Sequence, residues 1–311
     1  MIPIDYTKIY NNRILIITGV GRSGTSIVGK IIGSLYPAYY LYEPAILKYC
    51  STVQHNALFG TLFEDYFLNH IQGRINENPN DQSYGYHYYL KEDIDFARIF
   101  LKRRSDAIRY INATQSLFVI KMPEYQPYMS HKHTFKIKYI HVIRNGFDVI
   151  ASALRQGWFT DDWCKNQVIE SNVYTRSTRP VPMPYSFAVP RNITMYTAYD
   201  QWNTYTPLTR AACAWRWLTQ CGMNFERTSP GTCATIQYNQ LFDNHPFENT
   251  IMPALNKIGL ASGLHSTDLT EQHLRAVKIH TKQYENNISL ESIEQPERNE
   301  FERLMIELKY L

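Results

Sequence analysis

Residues 14–36 read ILIITGVGRSGTSIVGKIIGSLY, and a strand, a glycine-rich turn and a helix follow one another within them. Ile14, Leu15, Ile16 and Ile17 form an unbroken aliphatic run, the pattern of a strand covered on both faces in a parallel sheet. Gly19, Gly21 and Gly24 permit a sharp turn and a close approach of the backbone to a ligand. From Thr25 and Ser26 onward, Ile27, Val28, Ile31, Ile32 and Leu35 recur at helical spacing. A helix that begins there aims its unpaired amides and the positive end of its dipole back at the glycines. The turn is therefore an anion site suited to a phosphate-like group.

Three phosphate-binding designs use such a turn. A Walker A loop keeps the spacing of Gly19 and Gly24 but needs a lysine where Thr25 stands, which argues against ordinary Mg-nucleotide chemistry. The string GVGRSG also satisfies the G-x-G-x-x-G fingerprint of a dinucleotide fold, with Glu43 placed at the end of a second apolar run, Tyr39 to Tyr42, where a ribose-binding acid belongs. The third design puts the cation inside the loop, at Arg22, and follows it with the hydroxyls of Ser23, Thr25 and Ser26. That set suits a terminal, highly charged oxyanion better than a pyrophosphate laid across bare glycines.

The chain of 311 residues accommodates one large α/β domain, and its hydrophobic content of 44% is that of an ordinary folded protein. A formal charge of +4, with no long basic run, argues against nucleic acid as a partner and is compatible with a small anionic ligand. The 24 tyrosines point either to ring-lined binding surfaces or to a tyrosine-rich core. Five cysteines, Cys50, Cys164, Cys213, Cys221 and Cys233, lack metal-ligand spacing and are odd in number, which implies free thiols in a reducing compartment. A polar N-terminus without a signal-peptide pattern, and the lack of any membrane-length apolar window, make cytoplasmic placement the expectation.

Further along, Pro44 stops the second apolar run, so Glu43 belongs on the same rim of the sheet as the glycine turn. Residues 56–72 and 92–111 have helical periodicity. Leu117 to Ile120 is a short strand ended by Lys121, Met122 and Pro123, and Ile137 to Ile143 a buried strand ended by Arg144. Both strands end in a cation where a metal-dependent nucleotide enzyme carries an aspartate, which describes a rim that holds anions without magnesium. Arg144 and Ser152, on the helix that follows, are spaced to flank one phosphate, while Asp148 is an alternative partner for Arg144. Residues 156–206 break the α/β rhythm with prolines and many aromatic rings, as a binding surface or a covering layer would. Helices are expected over residues 209–225, 266–278 and 290–308, and a strand over residues 233–237.

Together GVGRSGTS and YIHVIRNGFDVIAS resemble the sulfotransferases that use 3′-phosphoadenosine-5′-phosphosulfate (PAPS) as donor. The Arg-Ser-Gly-Thr-Ser form followed by YLYEP is similar to the carbohydrate branch of that family. The resemblance implies one domain over residues 1–311: a P-loop-like central parallel sheet flanked by helices, with an acceptor-binding insertion at 156–206. It implies that Gly21, Arg22, Ser23, Gly24, Thr25 and Ser26 hold the 5′-phosphosulfate and that Arg144 and Ser152 hold the 3′-phosphate. It also implies that Glu43, on the same rim, is the catalytic base; read from their own positions, Arg22 supplies charge to the leaving phosphate, Lys121 steadies the transferring sulfonate or the acceptor, Glu124 is the second choice of base, and no metal is needed. The acceptor would be a hydroxyl compound, a saccharide or glycolipid in the first instance. The chain departs from many members of the family in residues 277–289, where it has neither the glycine nor the tryptophan of their donor-covering loop. Until the rim is seen in three dimensions, a dinucleotide-dependent oxidoreductase, an atypical P-loop kinase and a non-catalytic nucleotide-binding domain remain rival readings.

Overall fold

The computed structural model describes residues 13–36, 38–42, 117–126, 129, 136–164, 204–279 and 288–311. Five strands, β1 (Ile14–Gly19), β2 (Ala38–Tyr42), β3 (Leu117–Lys121), β4 (Ile137–Ile143) and β5 (Cys233–Gln237), form one sheet in the order β2-β3-β1-β4-β5. All of its pairings are parallel. The expected α/β class, a central parallel sheet flanked by helices, is the fold of the protein. The aliphatic run that begins the chain's pattern is the middle strand, and every residue of β1 is buried, as a strand covered on both faces requires.

Alternation along the strands sends side chains to two separate cores. Leu15 and Ile17 of β1, with Ile140 and Val142 of β4, pack beneath α1 (Thr25–Gly33), α4 (Met252–Lys257) and α5 (Asp268–Ile279). Ile143 faces the other way, into a core built with α2 (Gly146–Arg155), α3 (Pro207–Thr228) and α6 (Glu297–Glu307) around Trp215 and Phe301. The chain passes from β1 outward to β2 and returns through β3 before β4 pairs on the opposite side of β1. The carboxyl ends of β1 and β4 therefore flank the switch point of the sheet, where open α/β folds bind their ligands.

One expected helix is divided. Across residues 290–308 the chain makes a short 3-10 turn, Leu290–Ser292, and enters α6 only at Glu297. Pro296, which has no N–H to donate, stands at the start of α6. Ahead of it the Glu294 carboxylate is occupied elsewhere, accepting from the Thr206 amide at 2.8 Å and the Thr206 hydroxyl at 3.0 Å at the head of α3. Conversely, α3 is longer than expected, because Thr206 caps it and Pro207 suits its first turn. The helices expected over residues 56–72 and 92–111 lie outside the described residues, as does most of the 156–206 segment. Among the described residues no helix is long and apolar enough to cross a membrane.

Candidate functional site

β1 delivers the glycine turn to the rim, and two packing contacts explain its glycines. Gly24, at φ +93°, is the N-cap of α1, and a Cβ there would stand 2.3 Å from the ring of Tyr238. A Cβ on Gly21 would meet Glu124 Oε1 at 2.7 Å and the Trp158 ring at 2.9 Å. Within the turn the Ser23 amide donates to the Val20 carbonyl at 3.0 Å. The Ser23 hydroxyl is fully buried and has no hydrogen-bond partner. No side chain caps α1 and its first turn carries no acid, so its leading amides face the turn without an acceptor from the helix's own side chains. Arg22 holds a left-handed backbone at φ +72°, a conformation that costs a non-glycine residue about 1–2 kcal/mol.

Two further strand ends close on this turn. After β3 the chain folds over the end of β1: the Met122 amide donates to Ile17, the Glu124 amide to Gly19 at 2.9 Å, and the Tyr125 amide to the Thr18 hydroxyl at 3.0 Å. These bonds fix Glu124, also left-handed at φ +58° and buried, directly against the loop. Lys121, the last residue of β3, is likewise buried, in register with Ile17 on one side and Tyr42 on the other. β2 ends at Tyr42, and Glu43 lies outside the described residues.

From β4 comes Arg144. Its carbonyl accepts from the Trp215 indole at 3.2 Å, which ties the strand end to α3. Its guanidinium pairs with Asp148 at 3.3 Å, lies 4.9 Å over the Tyr238 ring and points Nη1 at the Arg22 carbonyl, 3.5 Å away. Ser152 accepts instead from Arg22 Nε at 2.9 Å. Arg22, Arg144 and Ser152 thus converge at the β1/β4 crevice, and Arg144 has the partner that the sequence offered as its alternative. Asp148 is the partner of Arg144, and Ser152 is the partner of the loop arginine. Burial raises the Tyr238 phenol above its ordinary pKa, so that it stays a neutral platform beside the guanidinium.

Tyr238 and Trp215 also contact the rim residues and carry no signal in the sequence spacing, while Trp158 belongs to the aromatic segment expected to face the acceptor. Tyr238 is carried by the short 3-10 helix Tyr238–Phe242 that follows β5, where the sheet brings it beside Arg144. Trp158 stacks on Trp163 with ring centroids 6.1 Å apart, at the start of the aromatic segment. Among the described residues no group of three or more His, Cys, Asp or Glu side chains is arranged to hold a metal ion. The described cysteines, Cys164, Cys213, Cys221 and Cys233, are free thiols.

No family model matches the chain, and no curated protein matches it. Among solved structures it is similar to the sulfotransferase domain of the olefin synthase from Synechococcus PCC 7002, at 15% identity over 96% of this chain and 95% of that one, with a TM-score of 0.48. It is also similar to the sulfotransferase STF1 of Mycobacterium tuberculosis H37Rv, at 14% identity over 87% of this chain and 73% of that one, with a TM-score of 0.39. Both likenesses are remote, and the chemistry of the site has to be read from its own side chains.

Proposed function

We propose that the protein is a sulfotransferase that takes its sulfuryl group from 3′-phosphoadenosine-5′-phosphosulfate and passes it to a hydroxyl acceptor. The observation that carries this reading is the convergence of two arginines and a serine on an uncapped helix start in the β1/β4 crevice. Two cations and a set of amides, with the unpartnered Ser23 hydroxyl among them, fit a ligand bearing two separate oxyanions. The sequence motifs of both phosphate-binding stretches support the same assignment.

The donor supplies a sulfuryl group joined to a phosphate that leaves. In this reading Gly21, Arg22, Ser23, Gly24, Thr25 and Ser26 hold that phosphate and stabilise its growing charge through preorganised donors. Arg144 and Ser152 bind the 3′-phosphate. Lys121 steadies the group in transfer, and Glu43 takes the proton of the acceptor hydroxyl, with Glu124 as the second carboxylate of the rim. Residues 156–206 form the acceptor surface within a single domain over residues 1–311. A saccharide or glycolipid is the acceptor favoured by the aromatic content of that segment and by the resemblance to the carbohydrate branch.

A thermal-shift comparison of 3′-phosphoadenosine 5′-phosphate, NAD, NADP and Mg-ATP tests the donor class. Stabilisation by the first alone is expected, whereas stabilisation by NAD or NADP alone would transfer the protein to the dinucleotide class. For the base, Glu43→Gln should lower turnover by about a hundredfold or more while leaving nucleotide affinity intact. Turnover within a few-fold of wild type, together with a collapse in Glu124→Gln, would move the role to Glu124.

A further inference from the structure

We propose that Asp148 is a competing counter-ion of Arg144, one that weakens the hold on the spent nucleotide so that it leaves. The proposal rests on the donor-site reading given above. A guanidinium grips an oxyanion best through two parallel N–H groups. On Arg144 the Nε/Nη2 edge is turned to Asp148, with both nitrogens directed at the single oxygen Oδ2, at 3.4 and 3.3 Å. Charge-assisted bonds of this kind usually close to about 2.7–2.9 Å, so the contact is loose. It is also half-exposed, with side-chain accessibilities of 26% for Arg144 and 38% for Asp148. The other surfaces of the guanidinium are already committed, Nη1 toward the Arg22 carbonyl and one face to the Tyr238 ring.

Asp148 also stands one helical turn before Ser152 on α2 and one turn's spacing after Arg144. An anion that reaches for Arg144 and Ser152 together must push the carboxylate aside and then remain close to it. The phenols of Tyr238 and Tyr310 face the pair from other elements, each influenced by both charges. The Tyr310 hydroxyl is buried without a hydrogen-bond partner. Like-charge repulsion in the filled site, and recapture of Arg144 in the emptied one, both favour departure of the ligand.

The test is calorimetric titration of the full chain with 3′-phosphoadenosine 5′-phosphate and with adenosine 5′-phosphate, which lacks the group that meets Arg144. Asp148→Asn keeps the shape of the side chain and removes its charge. It should tighten binding of the first nucleotide by about fivefold to tenfold and change the second by less than about twofold. The gain should vanish in Arg144→Ala/Asp148→Asn. Equal or weaker binding of the 3′-phosphorylated nucleotide, or an equal gain for both, overturns the proposal. So does weakened binding accompanied by a fall in melting temperature, which would mark Asp148 as a helix-start residue only. If neither nucleotide binds the wild type, the donor reading fails on its own, and inorganic sulfate decides the counter-ion role. Greater sulfate stabilisation of Asp148→Asn than of the wild type, absent from the double variant, upholds it, and equal stabilisation overturns it.

Discussion

Two arginine–carboxylate pairs lie on the same face of the sheet and have opposite characters. Arg216 of α3 meets Glu297 of α6 through Nε to Oε1 at 2.5 Å and Nη2 to Oε2 at 2.8 Å, a bidentate pair with accessibilities of 15% and 2%. Burial pulls the Arg216 pKa down, and the hydrogen bonds and charge of Glu297 more than reverse the effect. Arg144 and Asp148, at the rim, meet through one oxygen at longer range and in partial contact with water. The first pair is bidentate, with Nη1 on Gln220 besides, and locks two helices together. The second rests on a ring and meets its carboxylate through one oxygen in a longer, partly exposed contact. Burial and bond geometry, more than residue type, separate an arginine that holds the fold from one left at the rim, where the proposed function puts a ligand.

The contrast fails first, and by the widest margin, if the interior pair proves dispensable. Glu297→Ala leaves a buried guanidinium uncompensated and should lower the unfolding free energy by about 3–5 kcal/mol in urea titration. A loss below about 1 kcal/mol would place both pairs in one class. The next largest effect concerns His141, which is fully buried on β4, packed against Gly222 of α3, with neither ring nitrogen partnered. Burial lowers its pKa from 6.5 to about 4, against a smaller opposing effect of Glu226. Between those values the unfolded chain holds the extra proton. The contribution of His141 is thus complete above pH 6.5 and is lost as pH falls through 4, on the order of 3 kcal/mol in all. His141→Leu should flatten the acid side of the melting-temperature profile, and an unchanged profile would assign the acid sensitivity to other groups.

At the rim the expectation is reversed. Arg144→Ala should cost about 2 kcal/mol in affinity for 3′-phosphoadenosine 5′-phosphate, as for a charged hydrogen-bonded contact, with little change in melting temperature. A large loss of stability with unaltered affinity would make Arg144 a second Arg216. The smallest effect is that of Gly24→Ala, where a left-handed backbone and the nearby Tyr238 ring oppose the methyl group. About 1–2 kcal/mol of stability should be lost, and nucleotide binding should weaken with it as Tyr238 is pushed from Arg144.

The strands were legible because burial on both faces leaves a plain mark in the sequence. ILII, LFVIK and IKYIHVI are mostly apolar, and they occupy the middle of the sheet. Arg22 and Arg144 were legible as rim residues because each follows such a run. Their partners were less so. Residues four and eight places after Arg144 are both compatible with one helix face, and only the packing of β1 beside β4 decides that Asp148 takes Arg144 while Ser152 takes Arg22. Tyr238 and Trp158 act through contacts that no spacing encodes, and each is revealed by what a side chain on a loop glycine would strike. The 290–308 segment was misjudged because its periodicity outlasts Pro296, whose missing N–H divides it.

The placement of Tyr238 also bears on how the protein is made. The glycine turn and α1 leave the ribosome early, whereas the ring that covers Gly24 and Arg144 follows β5, late in the chain. The nascent polypeptide therefore carries its anion loop well before it carries that cover. On the proposed function, nucleotide binding should mature only after β5 docks beside β4.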